Sequence, residues 1–174
     1  GSRKVTRGVA LGARWFGLFE AAGGVDVALV TDGTAGGTSE LLPCAEGWRV
    51  QSTALAALDG RALYVCARSE GAVLALELRA SDGTPGGTRL LAAADSLTLP
   101  STSAEWHVAG SRAFLVGYAA LEDGAVDFDA RRVWLTDGTP EGTGSLGAFA
   151  RGEGFDPPGA AMGIPSGLLL RSFD

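Results

Sequence analysis

Three aspartates, Asp32, Asp82 and Asp137, each open the same seven-residue stretch, which has the clearest chemical pattern in the chain. The stretch reads Asp-Gly-Thr-x-x-Gly-Thr, and a Ser or Thr precedes each Asp. Such a carboxylate could bind a metal ion, or it could accept hydrogen bonds from the backbone two residues further on. The stretches lack the alternating Asp or Asn residues of a calcium-binding loop, so turn chemistry is favoured. The residues assigned to the turns are Asp32, Gly33, Thr34, Thr38, Asp82, Gly83, Thr84, Thr88, Asp137, Gly138, Thr139 and Thr143.

The same residues predict a β-hairpin turn with a defined set of internal contacts. The Gly after each Asp can take a positive φ, and the Thr hydroxyls can bond to loop amides that no strand pairs. The later glycine of each stretch, Gly37, Gly87 or Gly142, offers a second position at which φ is unrestricted. The flanking segments are apolar and rich in β-forming residues, which predicts a strand on each side of the turn.

The longest connection in the chain carries four carboxylates: Glu122, Asp123, Asp127 and Asp129. A calcium ion takes six to eight oxygen ligands, so these side chains could gather around one. Their spacing matches no EF-hand and Arg131 follows closely, so a solvated loop with local ion pairs is favoured and no cofactor is expected. If a loop is specialised for ligand binding, Asp127 and Asp129 are the best candidates, because this connection varies most in length between repeats.

Cys44 and Cys66 are the only cysteines, so at most one disulfide can form. Cys44 follows the last predicted strand of one repeat, and Cys66 lies in the second predicted strand of the next. Adjacent repeats could bring them close, and an oxidising compartment would permit the bond. Two separate buried thiols are the alternative, and a second cysteine pair for a zinc site is absent from the sequence.

Nucleophilic catalysis has little support in the sequence. His107 is the only histidine, and it adjoins Trp106 on a predicted strand, where a structural role is the default. A Gly-x-Ser-x-Gly elbow does not occur, although a Ser-His-Asp triad assembles in space and need not leave a local motif. We therefore assign no catalytic residue.

Tryptophan offers a different chemistry, because the face of an indole ring can stack on a sugar. Trp134 is expected in the core. Trp48 and Trp106 do not share one position of the repeat and could form a ligand-binding wall, with burial in the core as the alternative.

These residues are carried by a sequence that repeats about every fifty residues. Asp32 and Asp82 are fifty residues apart, and Asp82 and Asp137 are fifty-five apart. Such a period is typical of propeller blades and solenoids. The second repeat divides into four short predicted strands: Ser52–Leu58, Ala62–Arg68, Val73–Ala80 and Thr88–Ala93. Four strands in one repeat fit one blade of a β-propeller, which is a four-stranded sheet.

The other repeats follow the same plan. Predicted strands lie at Arg14–Ala21, Val25–Thr31 and Thr38–Leu42 in the first repeat, and at Trp106–Val108, Arg112–Ala119, Arg131–Thr136 and Thr143–Phe149 in the third. We expect one repeat domain over residues 1–174, with units near 5–47, 48–97 and 98–152 and a partial unit at 153–174. Three and a half units leave sheet edges that must be covered. A longer array, a second copy of the chain or the N-terminal segment could cover them.

The turn residues, together with Trp134 ahead of the third turn, resemble the bacterial ELWxSDGTxxGT repeats. That family occurs in tandem in large secreted or surface proteins, and its repeats are thought to form β-propeller blades. The resemblance therefore implies an all-β propeller-type fold and a secreted or cell-surface location. It implies no catalytic residues.

Composition excludes some partners. The net charge is −6 and basic residues form no patch, so nucleic acid is not expected as a partner. The longest apolar runs fall short of the roughly 18–20 residues of a membrane-spanning helix.

The sequence thus predicts a non-catalytic, propeller-type binding or assembly module. Its partner would be another copy of the chain, neighbouring repeats, a glycan or a surface protein. A hydrolase or lyase on a propeller scaffold is one alternative, and it predicts converging acidic and basic side chains with shifted pKa values. A structural spacer in a longer array is the other.

Overall fold

The molecule is built from β-strands. The structure, a computed structural model, describes residues 4–20, 26–70, 73–95, 102–120, 123, 125–150, 161–164 and 167–170. Among these residues there is no helix, so the all-β prediction is confirmed. The strands in chain order are β1 (Lys4–Leu11), β2 (Arg14–Glu20), β3 (Asp26–Thr31), β4 (Ser39–Leu41), β5 (Arg49–Leu58), β6 (Arg61–Glu70), β7 (Val73–Ser81), β8 (Arg89–Asp95), β9 (Thr102–Ala109), β10 (Arg112–Ala120), β11 (Val126–Thr136), β12 (Gly144–Ala150), β13 (Ala161–Ile164) and β14 (Gly167–Leu170).

Three four-stranded antiparallel sheets contain the first twelve strands, and strands that follow one another in the chain are neighbours in the sheet. The first sheet is β1–β4, the second β5–β8 and the third β9–β12, while β13 pairs with β14. Each Asp-Gly-Thr stretch connects the third and fourth strands of its sheet. The second sheet also has a two-residue turn between β5 and β6, in which Asp59 and Gly60 both take a positive φ, as a type I′ hairpin requires.

Strand β1 was not predicted, because its sequence includes a glycine and shows no clear alternation. Gly8 pairs with Gly17 of β2, and the Trp15 ring lies over both glycines. A Cβ added at Gly17 would lie 1.8 Å from that ring. The indole therefore supplies the apolar cover that two glycines lack, and the strand pair forms despite them.

The sheets stack face to face around the second sheet, whose inner strand β6 is buried on both faces from Ala62 to Ala67. Tyr64 and Cys66 of β6 pack with Phe16 and Leu18 of the first sheet. Their neighbours in β6, which point the other way, pack with Leu115 and Trp134 of the third sheet. Trp134 is 9% exposed and belongs to this core.

The first strands of successive units are also neighbours. Strand β1 lies beside β5, β5 beside β9, and β9 beside β13. A further apolar cluster, which includes Phe114, Val116 and Val133, lies on the face of the third sheet that points away from the second. Each unit therefore presents one face to the unit before it and the other face to the unit after it.

Candidate functional site

Each Asp-Gly-Thr stretch forms the same hydrogen-bonded turn. In the second turn, Asp82 Oδ1 accepts bonds from Thr84 N at 2.9 Å and from Thr84 Oγ1 at 2.7 Å. Thr84 Oγ1 in turn accepts a bond from Gly87 N at 2.9 Å. The corresponding distances in the first and third turns agree with these within 0.1 Å. The carboxylate and hydroxyl thus pair with loop amides, as the sequence predicts.

The residue before the Asp and the last Thr complete the turn through a relay of hydroxyls. Thr88 Oγ1 donates to the carbonyl of Thr84 at 2.9 Å and lies 2.7 Å from Ser81 Oγ. Because the single hydroxyl proton of Thr88 is used on the carbonyl, Ser81 is the donor between the two hydroxyls. Ser81 Oγ then accepts a bond from Gly83 N at 3.1 Å. The hydroxyl of the Ser or Thr before each Asp therefore both donates and accepts a hydrogen bond. The other two turns repeat this arrangement.

The two glycines of the turn are needed for different reasons, one for its backbone φ and the other for the space around it. Gly83 takes a φ of 89°, and Gly33 and Gly138 are similar, as predicted. Gly87 and its counterparts do not use their freedom of φ, because none of them has a positive φ. Gly87 is needed for space: a Cβ there would lie 2.0 Å from Asp82 Oδ1. The same holds at 2.0 Å for Gly37 and at 2.1 Å for Gly142.

The turn contacts also shift the ionisation of the three carboxylates. Hydrogen bonds from the Thr two residues on lower the pKa of Asp32, Asp82 and Asp137 below the usual 3.8. Each Asp is therefore ionised at neutral pH and held as an acceptor. A general acid or base would need a pKa shifted towards neutrality, which is the opposite direction.

The second and third turns, besides closing their hairpins, contact the preceding sheet. Arg14 Nη2 of the first sheet donates to the Asp82 carbonyl at 2.8 Å, and Gly83 packs against Val30. Arg89 Nη2 of the second sheet donates to the Gly138 carbonyl. Gly83 and Gly138 are accordingly buried, whereas Gly33 of the first turn is exposed. We call the residues of a sheet that contact the next turn its acceptor site.

A disulfide joins Cys44 to Cys66, with their Cα atoms 5.9 Å apart. It links the segment after the first sheet to β6 of the second. Beside it, the buried Tyr64 hydroxyl donates to the Pro43 carbonyl at 2.8 Å, and burial raises the Tyr64 pKa, so the donor stays protonated. The first and second sheets are thus joined covalently and by a buried hydrogen bond.

Trp48 lines a surface depression of about 300 Å³ next to this disulfide. Cys44, Glu46 and Arg49 line it too. The Arg68 guanidinium lies 4.8 Å from the centre of the Trp48 ring, a cation–π distance. An aromatic face with charged neighbours is a suitable surface for a sugar or a polar peptide.

The other candidate ligand residues lie elsewhere. Trp106 is half-buried against the core between the second and third sheets, and its indole N–H has no acceptor among the described residues. His107 is half-buried, and burial lowers its pKa, so it is neutral at pH 7. Asp127 Oδ1 accepts a bond from Asp129 N at 3.0 Å, while Glu122 lies outside the described residues. In the described part of the chain, no three His, Cys, Asp or Glu side chains come together as a metal site would require.

Comparison of the chain with protein-family models, with curated proteins and with solved structures found no match. Within the residues that the structure describes, no helix is long and apolar enough to cross a membrane.

Proposed function

We propose that this chain is a non-catalytic assembly and binding module whose sheets are arranged as the blades of a β-propeller. In a propeller, four-stranded sheets surround a central channel. The neighbouring first strands of successive units and the burial of both faces of the second sheet support this arrangement.

The observation that carries the proposal is the double use of the turn. The turn that closes a hairpin also contacts the acceptor site of the preceding sheet, through Arg14 in one case and Arg89 in the other. Its carboxylate is committed to internal hydrogen bonds, which supports a structural role over a catalytic one. Units of this kind associate with other units, in the same chain or in another copy.

Sedimentation velocity of the intact chain over a wide concentration range tests the proposal. We expect a sedimentation coefficient that rises with concentration, because among the described residues one face of the first sheet has no sheet against it and the third sheet has only the two-stranded β13–β14 pair beside it. A single monomeric species at every concentration would count against assembly as the function.

A second candidate function, recognition of a glycan, is favoured by the depression at Trp48. Glycan-array binding of the intact protein tests it, with Trp48→Ala expected to abolish the signal. Trp106→Ala is the matched control, since Trp106 does not line this depression.

The disulfide supports a secreted or surface location, where oxidising conditions preserve such bonds.

A further inference from the structure

The acceptor site of the first sheet has a counterpart on the third sheet. Arg14 and Val30 contact the second turn. Arg14 is the first residue of β2, as Arg112 is the first residue of β10, and Val30 and Leu135 each stand two residues before a turn Asp. Arg112 and Leu135 therefore occupy on the third sheet the positions that hold the next turn on the first.

The second sheet identifies one more position of the acceptor site. Arg89, which bonds to the Gly138 carbonyl, is seven residues after Asp82, and its counterpart on the third sheet is Gly144. All three counterparts, Arg112, Leu135 and Gly144, line one depression of about 350 Å³. Contact positions taken from two different interfaces thus converge at a single site.

The residues at this depression are more exposed to solvent than the residues already in contact with a turn. Arg14 and Arg89 are half-buried, whereas Arg112 is exposed. Leu146, which also lines the depression, is 49% exposed. A guanidinium donor and exposed leucine surface are what a turn carbonyl and its glycine would cover.

The strands next to the third sheet indicate what kind of segment belongs there. Strand β13 lies beside β9 and pairs with β14, as the first two strands of each unit pair. In the three sheets, the second strand pairs on both sides, but β14 pairs with β13 alone among the described strands. The part that completes such a unit is a third strand, an Asp-Gly-Thr turn and a fourth strand.

On the basis of the function proposed above, we propose that Arg112, Leu135 and Gly144 form an acceptor site for the turn of a further Asp-Gly-Thr-x-x-Gly-Thr hairpin. Arg112 donates to a backbone carbonyl at the start of the incoming turn, as Arg14 does to Asp82. The glycine after the incoming Asp packs on Leu135, as Gly83 packs on Val30. Alanine would be strained at Gly83, because that residue takes a φ of 89° and a Cβ on it would lie 2.8 Å from a Val30 methyl carbon.

The test uses a fluorescent synthetic peptide with the sequence of residues 73–95, which covers β7, its turn and β8, and measures its anisotropy with the intact protein. We expect saturable binding that the Gly83→Ala peptide loses about tenfold or more, through the clash of the added Cβ with the site and the strain of alanine at a φ of 89°. Arg112→Met, which keeps the length of an exposed side chain and removes its donors, should weaken binding about fivefold, as the loss of one hydrogen bond does. Glu141 lines the same depression away from the three contact positions, so the Glu141→Gln protein should bind the peptide as the wild type does.

Equal affinity of the two peptides, an Arg112→Met protein that binds normally, or no binding at all would each overturn the acceptor site. If the peptide does not bind while sedimentation still shows self-association of the protein, the acceptor site is refuted and the assembly function stands. If neither peptide binding nor self-association is observed, the acceptor site and the assembly function are both refuted. Loss of self-association on either Gly33→Ala or Arg112→Met would support the site and identify the hairpin as the first turn of a second copy.

Discussion

The substitution Gly87→Ala isolates the steric reason for the second glycine of the turn. Gly87 has no positive φ, so alanine meets no backbone penalty there. A Cβ would however lie 2.0 Å from Asp82 Oδ1 and 2.1 Å from Asp82 Cγ. The carboxylate must therefore move, and it cannot move that far and keep its bonds to Thr84.

The size of the effect follows from the contacts that are lost. Asp82 Oδ1 accepts two hydrogen bonds from Thr84, at 2.9 and 2.7 Å. Bonds to a charged group contribute about 1.5–3 kcal/mol each when protected, and water replaces part of that at an exposed turn. We expect the free energy of unfolding to fall by about 1–3 kcal/mol, measured by urea denaturation with linear extrapolation.

The neighbouring residue provides a matched control. Gly86 also lacks a positive φ, and a Cβ there would meet no atom within 4 Å. Gly86→Ala should be neutral or stabilise by up to about 1 kcal/mol, because it lowers the entropy of the unfolded chain. Two adjacent Gly→Ala changes in one loop should therefore differ in sign or at least clearly in size.

A double-mutant cycle with Asp82→Ala tests the cause directly. With the carboxylate removed, the added Cβ no longer has its nearest neighbours, so Gly87→Ala should cost much less in that background. A coupling free energy near zero, or equal stability of the Gly86→Ala and Gly87→Ala proteins, would refute the steric explanation.

Three further predictions use the same unfolding assay. Tyr64→Phe should cost about 1–2 kcal/mol, because it leaves the buried Pro43 carbonyl without its donor; an unchanged urea midpoint would contradict the bond. Reduction of Cys44–Cys66, which spans 22 residues, should cost about 3 kcal/mol by the chain-entropy model, and equal midpoints with and without reductant would count against the disulfide. The pKa of Asp82 is lower in the folded than in the unfolded chain, so its contribution is present above 3.8 and is lost as the pH falls through the folded value; Asp82→Asn should lose less stability on acidification than the wild type.

Local features of this fold were predictable because local chemistry determines them. The strand predicted at Val73–Ala80 corresponds to β7 (Val73–Ser81), since alternation of leucines with polar or small residues defines a half-buried strand. The turns were predictable for a similar reason, because Asp, Gly and Thr each bond to backbone groups within a few residues. Strand β1 was not predicted, because the Trp15 ring that covers its glycine, Gly8, belongs to the next strand.

The acceptor sites could not be predicted, because they join residues far apart in the chain. Arg14 and the Asp82 carbonyl are 68 residues apart, and an arginine on a polar strand end has no local signature of such a contact. One signal was available: Arg14, Arg61 and Arg112 each begin the second strand of their unit. A turn needs no arginine at that position, and Arg14 uses its guanidinium for a contact outside the hairpin, whereas on the second sheet Arg89 makes the corresponding contact.

The first turn separates the two demands that the repeat places on its residues. Gly33 keeps the same positive φ as Gly83 and Gly138, and the hydrogen bonds of the turn are the same, yet a Cβ at Gly33 would meet no atom within 4 Å. Hairpin closure alone is therefore enough to define the turn. Contact with the preceding sheet then gives both later turns a carbonyl that accepts a hydrogen bond from an arginine, and at Gly83 it adds a steric requirement, because a Cβ there would lie 2.8 Å from Val30. A turn that is rigid by its own bonds can dock without reordering, and this rigidity is what makes it suitable as the connecting element between units.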